Sequence, residues 1–280
     1  MTGSSSATRT LRRSWEDGKS PEDLSSVAVT ERLVYPGYEP LIALAAVAAV
    51  TTRVRLLTDI LVAPLRSSAL LAKQAANVAQ LAGGRFTLGV APGVRNDDFE
   101  AVAVPFQERG ARFDRMVTEM HDAWAGTPVN GVGGDIAQVP EALRPRLMFG
   151  GLAGATARRV AHWGADWAAP GLNPKDAVAA AEPVCRAWSE AGRPGRPRIV
   201  TLLRFVLGDE HVDASTGYVR DYFAVMGSAA AEEFARDTPR TELEIKEAIR
   251  IFADAGVDEF ILNPTVIYPD QVDRLADIIF

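Results

Sequence analysis

At 280 residues the chain exceeds an average domain, but it suits an α/β barrel, which forms one domain at about 250 residues. Apolar residues make up 48% and charged residues 24%, enough to bury a core without staples, and the single cysteine, Cys185, excludes a disulfide framework or a thiolate metal cluster. A formal net charge of −6 argues against a nucleic-acid backbone as the main partner, and the longest apolar run, Leu41–Val50, is too short to cross a membrane. With a polar start at Met1–Ser6 and one cysteine, the expected location is the cytoplasm.

Short apolar runs alternate with helical patterns in chain order. Val27–Val29 reads as a strand and Pro40–Val50 as an alanine-rich helix. Val54–Val62 is the next strand, Ser68–Leu81 a helix, and Phe86–Val90 a strand after the Gly83-Gly84 stop signal. An amphipathic helix follows over Gln107–Trp124. Leu147–Phe149 pairs with a helix at Gly154–Trp163, and Asp166–Ala169 with one at Lys175–Ala191. Ile199–Leu207 is a long strand, two helical stretches fill Ala214–Ala255, and Phe260–Leu262 precedes a closing helix from Asp270. Strand-then-helix alternation implies a parallel α/β sheet, and its length favours a (β/α)8 TIM-type barrel in a single domain over residues 1–280.

Seven strands are visible. An eighth, the first, would precede a helix at Ala7–Asp17, where only Met1–Ser6 is available. Residues 1–25 are therefore expected to hold an irregular or truncated first βα unit, its place covered by another element such as a partner chain. Gly126–Pro145 reads as an excursion, and residues 208–240, after a strand's C-terminal end, read as a lid or as a solvated helix pair.

In such barrels chemistry collects just after each strand. Those positions hold Thr30-Glu31-Arg32, Thr58-Asp59-Ile60, Ala91-Pro92-Gly93, Gly150-Gly151, Ala169-Pro170 and Asn263-Pro264-Thr265. Small residues dominate, which leaves room for a large planar ligand. Phe149–Gly154 is a strand, a glycine turn and a helix start, whose free N–H groups form an anion site or simply a tight turn. Glu31 and Asp59 end neighbouring strands and either work as an acid/base pair or sit in ion pairs, with mid-strand Arg204 as a partner for Glu31. His121, His162 and His211 show no metal-ligand spacing, and no metal is expected. Trp167 reads as core, and Arg109, Arg112 and Arg115 as a solvated stripe from which Arg109 is placed to reach a phosphate.

Several stretches together resemble the luciferase-like monooxygenases: Glu39–Leu56, Ala63–Arg66, Leu71–Ala76, Leu81–Val90, Phe106–Asp114, and Phe149–Gly151 through Gly164–Trp167. The resemblance implies a (β/α)-barrel that dimerises through the helices near 40–50 and 68–81. It implies reduced FMN with oxygen, or a deazaflavin coenzyme for hydride transfer, acting on a small organic substrate. By position it places Thr58, Asp59 and Ile60 beside the isoalloxazine ring, with a cis peptide at Asp59–Ile60. Ala91 and Gly93 fall near the ring or ribityl chain, Arg109 near the phosphate, and Gly150, Gly151, Leu152, Ala153, Gly154 and Ala155 around the phosphate. Glu31, Arg32 and Asp59 are the catalytic candidates, Arg32 standing where the family often has histidine. Two other functions compete with a flavin oxidoreductase. One is a catalytically degenerate flavin-binding or partner subunit of the same family. The other is a cofactor-free barrel hydrolase using Glu31 and Asp59.

Overall fold

A computed structural model describes residues 25–129, 131, 136–152, 154–171 and 174–279, with backbone alone at 174–178. The strand sought at Met1–Ser6, the helix at Ala7–Asp17, Ala153 and part of the Gly126–Pro145 excursion lie outside the described residues. The chain divides into two compact units, Leu24–Gly151 and Leu152–Phe280.

The first unit holds strands β1 (Ser26–Val29), β2 (Arg55–Thr58), β3 (Leu61–Val62), β4 (Phe86–Ala91) and β5 (Arg146–Gly150). Its helices are α1 (Pro40–Val50), α2 (Ser68–Leu81), the short α3 (Asn96–Ala101) and α4 (Arg109–Ala125). All strand pairs are parallel, in the order β1, β2, β4, β5, with β3 also beside β4. Every residue of β4 is buried, as a strand covered on both faces must be. Pro40 opens α1, where its missing N–H costs nothing, and Glu39 caps the helix by accepting from the Ile42 N–H at 2.8 Å. Trp124 of α4 is 1% exposed and donates its indole N–H to the Ala72 carbonyl of α2 at 3.0 Å, which fixes the two helices together.

Val54–Val62, expected as one strand, is two. Asp59 and Ile60 part β2 from β3, and the peptide bond joining them is cis. Val27 and Ala28 face Leu56 and Leu57 in register, and β3 sets Leu61 opposite Val90.

The second unit holds α5 (Ala155–Trp163), β6 (Asp166–Ala169), α6 (Pro174–Glu190), β7 (Ile199–Phe205), α7 (Val212–Phe223), α8 (Ser228–Arg236), α9 (Glu242–Asp254), β8 (Glu259–Pro264) and α10 (Asp270–Ile279). Strands β6, β7 and β8 are parallel neighbours. Phe205 and Leu207 pack on Ile245 of α9 and Leu275 of α10. The two helices expected over Ala214–Ala255 are three. Gly227 ends the first turn region at φ 96°, and a capping box starts α9, with Thr241 and Glu244 each holding the other's backbone N–H.

Asp258 pins the start of β7. It accepts both Arg196 donors, at 2.6 and 2.7 Å, and the Ile199 N–H at 2.8 Å. Burial alone would raise its pKa, but the Arg196 hydrogen bond and the Ile199 N–H outweigh burial and hold the carboxyl below the usual range. A depressed folded-state pKa contributes stability above the unfolded value of about 3.9, which is lost as pH falls through the lower folded value. Asp258→Asn is therefore expected to cost about 1 kcal/mol at pH 7, since the site is partly exposed, and to shrink the loss on acidification. Urea denaturation at pH 7 and pH 3 measures both.

Candidate functional site

The strand ends of the first unit bring together Glu31, Arg32, Thr58, Asp59, Ile60, Ala91, Gly93 and Gly150. Glu31 is 4% exposed on its side chain, and its partner is Arg66 rather than Arg204. Arg66 donates to Glu31 Oε2 at 3.0 Å, pairs closely with Oε1, and reaches Glu39 at 2.7 Å. The Val62 N–H donates to the same Glu31 oxygen at 2.6 Å. Burial would lower the Arg66 pKa, but the two carboxylates outweigh it and raise the pKa above its ordinary value. Glu31 thus ties the end of β1 to β3 and to the turn that holds Arg66.

Arg32 reaches Asp97 at 3.3 Å and lies 4.0 Å from the centre of the Tyr35 ring. The neighbouring Asp98, 2% exposed, accepts the Val34 N–H at 3.0 Å. These contacts fold the loop after β1 onto α3.

Thr58 is fully buried, and its hydroxyl donates to the Gly89 carbonyl at 2.7 Å. The Asp59 N–H donates to the Val29 carbonyl at 2.9 Å, so β1 and β2 stay paired up to the cis bond. Glycines make this packing possible. A methyl group at Gly89 would overlap the Thr58 carbonyl oxygen, and one at Gly150 would overlap the Ile60 side chain. Gly93 has φ +81°, and a methyl group there would stand 2.6 Å from Val62. The Ile60 side chain packs over Gly150, close to Ala91.

Arg109 and Arg112 do not form a solvated stripe. Arg109 Nε donates to the Gly93 carbonyl at 3.1 Å, Nη1 donates to Phe106 at 3.0 Å, and the guanidinium lies 3.8 Å from the Phe106 ring centre. Its Nη2 has no partner among the described residues. Arg112 donates to the carbonyls of Pro64 and Arg66, at 2.9 and 3.0 Å. Arg115, 61% exposed on its side chain, faces solvent as expected.

Gly151 has φ 124°. In the second unit Leu152 is 64% exposed, and Gly154, at φ 90°, opens α5 at Ala155 with no side-chain cap. As a glycine, the N-cap of α5 offers no side-chain oxygen to its first turn. Trp167 is fully buried core. His211 stacks on Tyr268 at 4.5 Å, and its Nε2 lies 3.6 Å from Glu210 and 3.5 Å from Asp270. No residue spacing foretells this trio, and Arg274 already pairs with both carboxylates, at 2.6 and 3.0 Å.

Parallel strands that alternate with helices, with small residues at the first unit's strand ends, are the parts of an α/β barrel. The sequence profile of the luciferase-like monooxygenases matches residues 23–276, and the chain belongs to that family, a family of oxidoreductases. The Mycobacterium bovis protein Mb0965c is 34% identical over 181 residues, 61% of this chain and 62% of its own. The chain thus spans under two thirds of the curated relatives it matches. An F420-dependent secondary alcohol dehydrogenase, solved with an F420-acetone adduct, superposes with a TM-score of 0.77 at 15% identity over 97% of this chain and 92% of its own. The oxygenating constituent of 3,6-diketocamphane monooxygenase from the CAM plasmid of Pseudomonas putida, solved with FMN, gives 0.68 at 15% identity over 90% and 85%. These likenesses show the fold class, α/β of the TIM-type barrel. No described helix is long and apolar enough to cross a membrane.

Proposed function

We propose that the chain is a flavin- or deazaflavin-dependent oxidoreductase acting on a small organic substrate, with the cofactor ring on the rim formed by Thr58, Asp59, Ile60, Ala91 and Gly93. The observation that carries this reading is the glycine-lined close packing of the strand ends around Ile60. Gly89, Gly93 and Gly150 have no room for a methyl group, because the Thr58 carbonyl, the Val62 and Phe99 side chains, and Ile60 respectively pack against them, so the strand ends approach closely. The superposed proteins were solved with an F420 adduct or with FMN, which supports this cofactor class without choosing between the two.

When bound, the flavin supplies the redox chemistry, and the protein supplies placement and a dry pocket. Ile60 and Ala91 offer an apolar face to a ring. Arg109 is aimed by Gly93 and Phe106, and its Nη2 is left for a phosphate oxygen. The glycine turn at the start of α5, with Leu152, Gly154 and Ala155, is proposed as an anion-binding turn. Glu31 acts as a positioning group, because Arg66 and the Val62 N–H engage both its oxygens. Asp59 remains the candidate for handling a proton.

We further propose a homodimer through α1 and α2, which pack together and expose Ile42 at 68%, Val50 at 55%, Leu70 at 54% and Leu81 at 59%. A second reading is a flavin-binding subunit without turnover, favoured by the engagement of both Glu31 and Arg32 in structural pairs. The two readings part on turnover: the first predicts substrate-dependent oxidation of the reduced cofactor, the second only binding. For either, Arg109→Ala is expected to weaken cofactor binding at least tenfold, because a charged hydrogen bond is worth about 1.5–3 kcal/mol. Fluorescence titration measures this, and an unchanged affinity removes Arg109 from the site.

A further inference from the structure

The second unit contains a cavity of about 670 Å³ whose lining belongs entirely to that unit. Its floor is β7 at Leu202–Arg204, and its walls come from α7, α8, the turn after α8, and α9. Val219, Phe223, Phe234, Ile251 and Phe252 give it an apolar body. The volume lies in the range of sites that enclose small organic molecules, about 300–1,000 Å³.

Arg204 is the exceptional group. It stands mid-strand between Leu203 and Phe205, and its side chain turns toward α7, with the guanidinium carbon 4.8 Å from the ring centres of both Tyr222 and Phe223. Its Nε is buried and has no hydrogen-bond partner, and no ion pair reaches the guanidinium among the described residues. A guanidinium held against apolar surface normally has an anion opposite it.

The carboxylates lining the same cavity do not serve. Asp237 pairs with Arg236 at 3.2 Å, and Glu247 with Arg250 at 2.7 Å. Glu244 accepts the N–H groups of Arg240 and Thr241, at 2.8 and 3.0 Å. Glu233 is exposed, and water screens it. Among the described residues Arg204 is thus left without a carboxylate partner, with two aromatic faces holding its fork in place.

We propose that this cavity binds a small apolar carboxylic acid, its carboxylate on Arg204 and its hydrocarbon body among Phe223, Phe234 and Ile251. A carboxylate matches the guanidinium fork geometrically, through Nε and one Nη. Neither the cavity nor Arg204 has a part in the flavin reading, so the proposal stands or falls separately from it.

The test is calorimetric titration of the full-length chain with phenylacetate and decanoate, and with phenylacetamide as the neutral counterpart. The expected result is saturable binding of at least one acid, with the amide at least tenfold weaker. Arg204→Leu is expected to lose at least tenfold, and Ala248→Phe, which fills the cavity from α9, to abolish binding while the far-ultraviolet circular dichroism stays unchanged. Arg109→Ala is expected to leave acid binding as it was. The proposal is overturned if neither acid binds, if acid and amide bind equally, or if Ala248→Phe binds like the parent. Should Arg204→Leu fail to fold, the acid–amide ratio and Ala248→Phe still decide the matter.

Discussion

Arg66→Met is expected to lower unfolding stability by about 3–5 kcal/mol, because removing one partner of a buried ion pair leaves the other charge uncompensated. Glu31 is 4% exposed and Arg66 14%, and Arg66 also engages Glu39, the N-cap of α1. The methionine side chain keeps most of the volume, so the loss reports on charge and hydrogen bonds. Guanidinium denaturation at pH 7 gives the value. The double variant Arg66→Met with Glu31→Gln is expected to recover part of it, since no charge then remains buried. If the single variant costs under about 1 kcal/mol, the pair behaves as a surface salt bridge and the position assigned to Glu31 is wrong.

Gly89→Ala is the second large effect. Its new methyl group would fall on the Thr58 carbonyl oxygen and within 2.7 Å of the Met148 side chain. A side-chain tip can swing away, but the carbonyl belongs to β2 and precedes the cis bond, so β2 and β4 must separate. Overpacking of this kind costs about 1–3 kcal/mol and sometimes more. The same shift moves Asp59 and Ile60, so cofactor affinity is expected to fall at least tenfold along with stability. Gly110→Ala is the matched control. It lies in the first turn of α4 with nothing within 4 Å, and is expected to stabilise by about 0.5–1 kcal/mol. Thermal melts of the two variants, with and without flavin, separate these outcomes. Equal behaviour of Gly89→Ala and the parent would mean the rim tolerates displacement.

Much of the fold was legible because strand and helix periods differ and glycines punctuate them. Each remaining strand lies within two residues of its expected ends, and the turn at Gly83-Gly84 stops its helix as read. The break inside Val54–Val62 was invisible to periodicity, since apolar residues stand on both sides of it and nothing in Asp59-Ile60 as residue types interrupts a strand. Only the family resemblance pointed there.

The site was harder. Helical spacing correctly put Arg109, Arg112 and Arg115 on one stripe, but spacing says which residues share a face, not what that face meets. Two of the three meet loop carbonyls. The partner of Glu31 was misassigned because Arg204, charged in an apolar strand, was the conspicuous cation, while Arg66 sits inconspicuously in a turn after Pro64. Pairing across 35 residues of chain depends on tertiary contacts that no local pattern encodes. One missed feature did have a signal. Thr241 followed three residues later by Glu244 marks a helix start, which would have split the second helical stretch.

The proposed flavin-type cofactor is tested by an equilibrium titration of the purified protein with FMN, reduced FMN and the deazaflavin coenzyme F420. Binding of one of them with a dissociation constant of about 1 μM or tighter, weakened at least tenfold by Arg109→Ala, is the predicted result. No saturable binding of any of the three, by a protein that is folded and monodisperse, would contradict it.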